Sequence, residues 1–497
     1  MILSIVITLF GLASIIGILR PRFGAVLLWL FPWIYPNTLL YGTLPLNIRF
    51  DDLWVVYMFL ICFLLYRQGA VLGKVFWLSV FWWVTLLIGN LVGVIITGGE
   101  ILVPIFKSAT KSIYVPFTTY VLSCLVSDEK QTGDHLKGMS LAGAIAGVLG
   151  IAMIYLPRPL SAFLIPHYLA GYNAEEIIEF GSELTRRAQG AVGTMGLATI
   201  TMCLSVVSLM MVVHQVRGKL RVFFALMCVV LLVSLAYTNT RGAIAGFIAA
   251  TLWGILFTKK RGTLIVLALL GAIMLAWQGE VFQRIMIRIT GMPGGPTTPL
   301  WESMATRIRI WNTFLEHFNP VYVMFGMGMI TSEYLNKATA HNAYIGAFIY
   351  GGLLGVVSLV AVIAYALSLA KRLRTIGMDP FSQALSTTLT AMVVAMMVNG
   401  LVLENFQQST GMQIYFAAMI FVDKRLRQVQ VEQEAWLDAY AEPVEQLQPA
   451  VRAVHLDPCR RPRRRKPSRN NGRTSERVNQ TVRQDVGSGP GIPRLPP

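Results

Sequence analysis

Of the chain's 497 residues, 55% are hydrophobic and only 13% charged, with a mean hydropathy of +0.59. No soluble fold of this length buries so many apolar side chains, so the composition excludes a soluble globular protein and leaves a polytopic membrane protein. The net charge of +17 does not single out nucleic acid as a partner: 15 Lys and Arg follow residue 423 against 8 Asp and Glu, and most of the others sit in short loops, as membrane orientation requires.

Apolar runs of about 20 residues recur along most of the chain, which favours helices over a barrel, whose strands would alternate apolar and polar residues. The expected fold class is an all-α polytopic membrane protein of about 12–13 transmembrane helices. In chain order, spans are expected near 1–19, 23–46, 51–67, 73–97, 101–126, 136–156, 190–213, 220–238, 241–258, 262–278, 341–370, 381–403 and 408–423. The first is apolar from Met1 with no basic n-region, and reads as a span rather than a removable signal. Pro32 and Pro36 interrupt the second, and Lys107 and Lys111 make the fifth a poor lipid-facing helix.

Four basic clusters set the orientation: Arg217 to Arg221, Lys259-Lys260-Arg261, Lys371 to Arg374 and Lys424 to Arg427. Counting crossings puts all four on one face, the cytoplasmic one. Segments 157–189, 238–241 and 279–340 then face outward. They carry Arg158, Arg186, Arg187, Arg241, Arg284, Arg288, Arg307 and Arg309. Arginines placed against the orientation rule need another reason. Binding an anionic group is one, because a guanidinium matches phosphate bidentately and stays charged.

The loop 279–340 is too long for a connector. Prolines from Pro293 to Pro299 make its first part irregular, and Ser303 to Phe318 then turns helical. Ile308, Trp311, Leu315 and Phe318 form an apolar stripe, which would lay this helix along the membrane surface. Residues 1–423 are expected to form the transmembrane domain and 424–497 a basic, disordered cytoplasmic tail. Its run from Arg460 to Lys466 reads as solvated rather than as a lipid or RNA site. Cys62, Cys124, Cys203, Cys228 and Cys459 show no metal or disulfide spacing.

The chemistry-bearing residues fall on the outward face. His341-Asn342 ends the long loop just before an apolar run of some thirty residues. The pair reads either as a polar helix start or as a site of proton chemistry at a membrane surface. Gly352-Leu353-Leu354-Gly355 follows, small enough for a close approach that would hold the histidine against a neighbouring loop. Arg241 lies in Thr240-Arg241-Gly242-Ala243, where Gly242 would leave room for a ligand. Arg307 shares a helix face with Trp311, and Arg309 lies beside it; Arg187 precedes another span, and Glu404 sits near the outer end of its own. Each of these arginines has an alternative reading as a headgroup contact. The sequence holds no P-loop, HExxH or nucleophile elbow, and no Asp cluster in the outer loops, so neither cofactor nor metal is implied.

His341-Asn342 with Gly352 resembles the His-Asn-x9-Gly signature of the bacterial O-antigen ligase and polymerase superfamily. Thr240-Arg241-Gly242-Ala243 resembles its Ser/Thr-Arg-Gly-Ala segment. Arg307 with Trp311, followed by Gly326-Met327-Gly328, resembles its Arg-x3-Trp and Gly-x-Gly loop. Together these cover roughly residues 185–370. Ala245 stands where the family often has Leu. The start, Arg20-Pro21-Arg22-Phe23-Gly24, is similar to an O-glycosylation ligase branch near exosortase systems.

The resemblance implies a glycosyltransferase of the bacterial inner membrane with its site facing the periplasm. The donor would be a glycan on a polyprenyl (undecaprenyl) diphosphate, and the acceptor a glycan, lipid or protein hydroxyl. His341, Arg241 and Arg307 would be catalytic; Arg187, Arg309, Asn342 and Glu404 would contact substrate. Membrane lipids are the other expected partner. The competing reading is a transporter or flippase of an anionic lipid, which would need charged or broken helices near mid-bilayer and pseudo-symmetric halves; Lys107 and Lys111 are its only candidates.

Overall fold

A computed structural model describes residues 2–34, 50–66, 72–99, 102, 112–155, 193–214, 218–258, 300–316, 319–329, 331, 340–406 and 409–455. The expected span at 262–278, Lys107, Lys111, Arg187, and the tail beyond 455 lie outside them. Among the described residues all regular structure is helical, as composition required. The chain divides into two compact units, Met1–Gln433 and Glu434–Pro497.

The helices are α1 (Ile2–Leu19), α2 (Pro21–Ile34), α3 (Phe50–Leu65), α4 (Lys74–Ile96), α5 (Tyr114–Leu125), α6 (Glu129–Tyr155) and α7 (Gly193–His214). They continue as α8 (Gly218–Tyr237), α9 (Arg241–Phe257), α10 (Leu300–Glu316), α11 (Pro320–Phe325), α12 (Ala343–Ile376), α13 (Pro380–Gly400) and α14 (Ser409–His455). Within the described residues six of them, α4, α6, α7, α8, α12 and α13, are long and apolar enough to cross a membrane; stretches of α1, α2, α3, α5 and α9 are apolar but shorter.

Local chemistry fixes several starts. Asn319 and Asp379 accept backbone N–H groups at the heads of α11 and α13, each followed by a proline whose fixed φ suits the first helical position. Asn342 does the same for α12 through Tyr344 N and Ile345 N.

At the centre stands α7, enclosed by α6, α8, α9 and α13. Thr199 and Thr201 on it return their hydroxyls to carbonyls one turn back, which satisfies these two polar side chains inside a wholly buried helix. Around it, Ile248, Leu252 and Leu256 of α9 and Leu353, Val357 and Val360 of α12 remain exposed at three- and four-residue spacing. Such stripes on otherwise packed helices are lipid-facing.

On α10, the face packed against the protein carries Arg307, Ile310, Trp311 and Phe314, with Phe314 fully buried. Ile308, from the stripe expected to face the membrane surface, is about half exposed, while Phe318 and the Leu315 side chain lie outside the described residues. One expectation needs correction: the last helix does not stop where the hydrophobic run does. α14 reaches His455, because Gln, Glu and Ala after residue 427 are good helix formers.

Candidate active site

Helices α12 and α13 form an antiparallel hairpin, joined at one end by Gly377 to Asp379. At the open end the start of α12 meets the end of α13: Asn342 Nδ2 donates to the Leu401 carbonyl at 3.0 Å, and His341 N donates to Glu404 Oε1 at 2.6 Å. α9 packs along α13, bringing its own start to the same place. A Cβ on Gly242 would lie 2.0 Å from Val402 Cγ2 and 2.7 Å from Asn399 Oδ1. The room expected beside Gly242 for a ligand is therefore filled by α13. This glycine serves to let Arg241, the first residue of α9, sit against the hairpin's end.

His341 adopts a left-handed backbone, φ 49°. For a residue with a Cβ that conformation is disfavoured by about 1–2 kcal/mol, so it persists only where neighbours hold it. They are visible. Glu404, buried, accepts from His341 N and from the Tyr350 hydroxyl, both at 2.6 Å. The same hydroxyl accepts from Ala340 N at 3.0 Å, and the Ala340 carbonyl accepts from Trp311 Nε1 at 2.7 Å.

Tyr350 itself is placed by a break in α12. Gly352 has φ 59° and ψ −150°, which only glycine adopts freely. A straight helix would direct the carbonyls of Ile349 and Tyr350 to residues 353 and 354. Here they accept instead from Met327 N at 2.9 Å and Gly328 N at 3.1 Å. The loop after α11 thus seats in the break, satisfying backbone groups that would otherwise be orphaned at membrane depth. The close approach expected at Gly352 is real, and its partner is this Gly326-Met327-Gly328 loop.

Three basic groups from distant parts of the chain share one electrostatic neighbourhood. Arg307, half-buried on α10, is held below its usual value by burial and then by the charge of Arg241. His341, also half-buried, is pushed below the ordinary imidazole range by burial and then by Arg307. The result is a neutral imidazole at neutral pH beside a guanidinium pair that repels itself. An anion placed between the arginines would relieve that repulsion.

Arg309 is exposed, and its position two residues after Arg307 puts it on another side of α10. Asn342 uses its amide as the α12 cap and the tie to Leu401. Glu404 joins the chain at His341 and Tyr350. Tyr350 was not legible as a functional residue: it is one aromatic in an apolar run, its only signal the Gly351-Gly352 that follows. Among the described residues no three His, Cys, Asp or Glu gather as a metal site.

Residues 226–360 match the family model described as O-Antigen ligase. The match takes in Arg241, Arg307, Trp311, His341 and Gly352, and ends before Glu404. No curated protein matches the chain.

Proposed function

We propose that this membrane protein, whose residues 226–360 match the O-antigen ligase family model, moves a glycan from a polyprenyl diphosphate to an acceptor hydroxyl on the periplasmic face of the inner membrane. The observation that carries the reading is the meeting of Arg241, Arg307 and His341, from three separate segments, at the open end of the α12–α13 hairpin. Arg241 and Arg307 hold the diphosphate and stabilise the charge that develops on it as the glycosidic bond breaks. His341, neutral because of its surroundings, takes the proton from the acceptor hydroxyl as that oxygen attacks the anomeric carbon. The proton passes to the imidazole, and the bonding pair leaves with the polyprenyl diphosphate. Arg187 and the exposed Arg309 supply further contacts to the donor or its headgroup region.

The test is His341→Ala in cells. The variant should accumulate in the membrane, transfer no glycan, and leave lipid-linked glycan built up on the outer face. Unchanged transfer would remove the imidazole from the reaction. Build-up on the cytoplasmic face would instead indicate a flippase.

A further inference from the structure

Resting on the transfer reaction proposed above, we infer that Trp311 and Tyr350 are positioning residues, which grip the residue before His341 and so set the spacing between the Arg307 guanidinium and the His341 imidazole. The peptide that joins Ala340 to His341 is fixed at both polar ends. Its carbonyl accepts from Trp311 Nε1 at 2.7 Å, and its N–H, that of His341, donates to Glu404 at 2.6 Å. One peptide earlier, Ala340 N donates to the Tyr350 hydroxyl, which in turn donates to the same Glu404 oxygen. A peptide plane held this way cannot rotate, and its rotation is the motion that would release His341 from φ 49°.

The two groups that hold Ala340, a donor on Trp311 and an acceptor on Tyr350, come from the two elements whose separation matters. Trp311 lies one helical turn after Arg307 on the packed face of α10, so its indole ties the arginine's helix directly to the histidine's neighbour. Tyr350 stands at the break of α12, where the Gly326-Met327-Gly328 loop anchors its carbonyl while its hydroxyl reaches back ten residues to Ala340. Both Ala340 and Tyr350 are essentially inaccessible. A phenylalanine would fill either aromatic site; what the indole N–H and the phenol add is direction. Neither group needs to touch substrate.

The experiment uses the full chain in membranes, with Tyr350→Phe and Trp311→Phe. Three measurements are made: accumulation and melting, kcat and donor KM, and the rate at which diethyl pyrocarbonate modifies His341, read by peptide mass spectrometry. The expected result is a folded protein whose kcat falls about 10- to 100-fold, the loss a displacement near 1 Å produces, with donor KM nearly unchanged. His341 should be modified several-fold faster in both variants. Wild-type kcat together with a wild-type modification rate would overturn the inference. If Tyr350→Phe does not accumulate, Trp311→Phe, on a partly exposed helix, decides alone. Should His341→Ala transfer glycan normally while both phenylalanine variants still speed His341 modification, the grip stands and the reaction assigned to His341 falls.

Discussion

A half-buried histidine in the field of the Arg307 guanidinium titrates in a direction that can be checked. Burial and Arg307 both disfavour the imidazolium, so the folded value lies below the ordinary 6.5 and the base form is already present at neutral pH. The acid limb of kcat/KM, which reports the free enzyme, should therefore fall below pH 6.5. A bound diphosphate reverses the sign, because its negative charge favours the imidazolium. The acid limb of kcat, which reports the complex, should sit at higher pH than that of kcat/KM. A kcat/KM limb at or above pH 7 would mean that another group takes the proton. The arginines make a second, separable prediction. Arg241→Lys keeps the charge and loses the fork, so kcat/KM should drop by about 10- to 100-fold, equivalent to one charge-assisted hydrogen bond of about 1.5–3 kcal/mol. Wild-type turnover in that variant would mark Arg241 as a headgroup contact only.

At the scale of elements, the site depends on a helix that is broken in the right place. Alanine at Gly352 would need φ 59° and ψ −150°, and its Cβ would fall 2.5 Å from Met324 C and Phe325 N, backbone atoms that cannot step aside. Gly352→Ala should displace the Gly326-Met327-Gly328 loop, loosen Tyr350 and abolish transfer in whatever protein still folds. Gly11→Ala, at a position with nothing within 4 Å of the added methyl, should leave transfer and melting unchanged. Much of this element was half legible. The run from His341 onward announced a helix, and Gly352 announced a close approach. That the approaching partner is a loop, and that the helix breaks to receive it, needed coordinates, because a φ/ψ pair leaves no periodic trace in an apolar run. On α10 the sequence marked a stripe from Ile308 but not the face that packs on the protein, which the burial of Phe314 and the bond from Trp311 to Ala340 reveal. Arg307 could be named from its neighbours in sequence, whereas its pairing with Arg241 and His341 could not, since no spacing rule relates residues separated by whole helices.

Across the whole of Met1–Gln433, charge is divided between the two ends of the α12–α13 hairpin, and the ends do different work. Arg241, His341 and Glu404 share the open end. At the closed end Arg425, buried, pairs with Asp379 at 3.0 Å, Glu129 at 3.4 Å and Glu432 at 3.5 Å, and donates to Ser382 Oγ at 3.0 Å. Lys424 Nζ reaches the Ser123 carbonyl at 2.7 Å, near the end of α5. The Lys424 to Arg427 cluster, read from sequence as an orientation signal, is thus also the knot that ties α5, α6, α13 and α14 together. The carboxyl of Asp379 is informative here. Burial alone would raise it, but two hydrogen bonds from Ser382 and the Arg425 charge outweigh that and hold it below its ordinary 3.8. A carboxylate depressed in the folded state binds fewer protons than in the unfolded chain, so it contributes stability above its unfolded value and loses that contribution as pH falls through its folded one. The melting temperature of the detergent-solubilised protein should be level in this respect from neutral pH to about pH 4 and decline below it. Asp379→Asn keeps a capping side chain but loses the charge. It should lower the melting temperature at pH 7 and flatten the acid decline, while turnover per folded molecule stays that of the wild type. A variant equally stable at pH 7 would show that Glu129 and Glu432 suffice for Arg425. One that melts normally but transfers slowly would show instead that the two ends are coupled through the hairpin, and that the division of labour between knot and site is false.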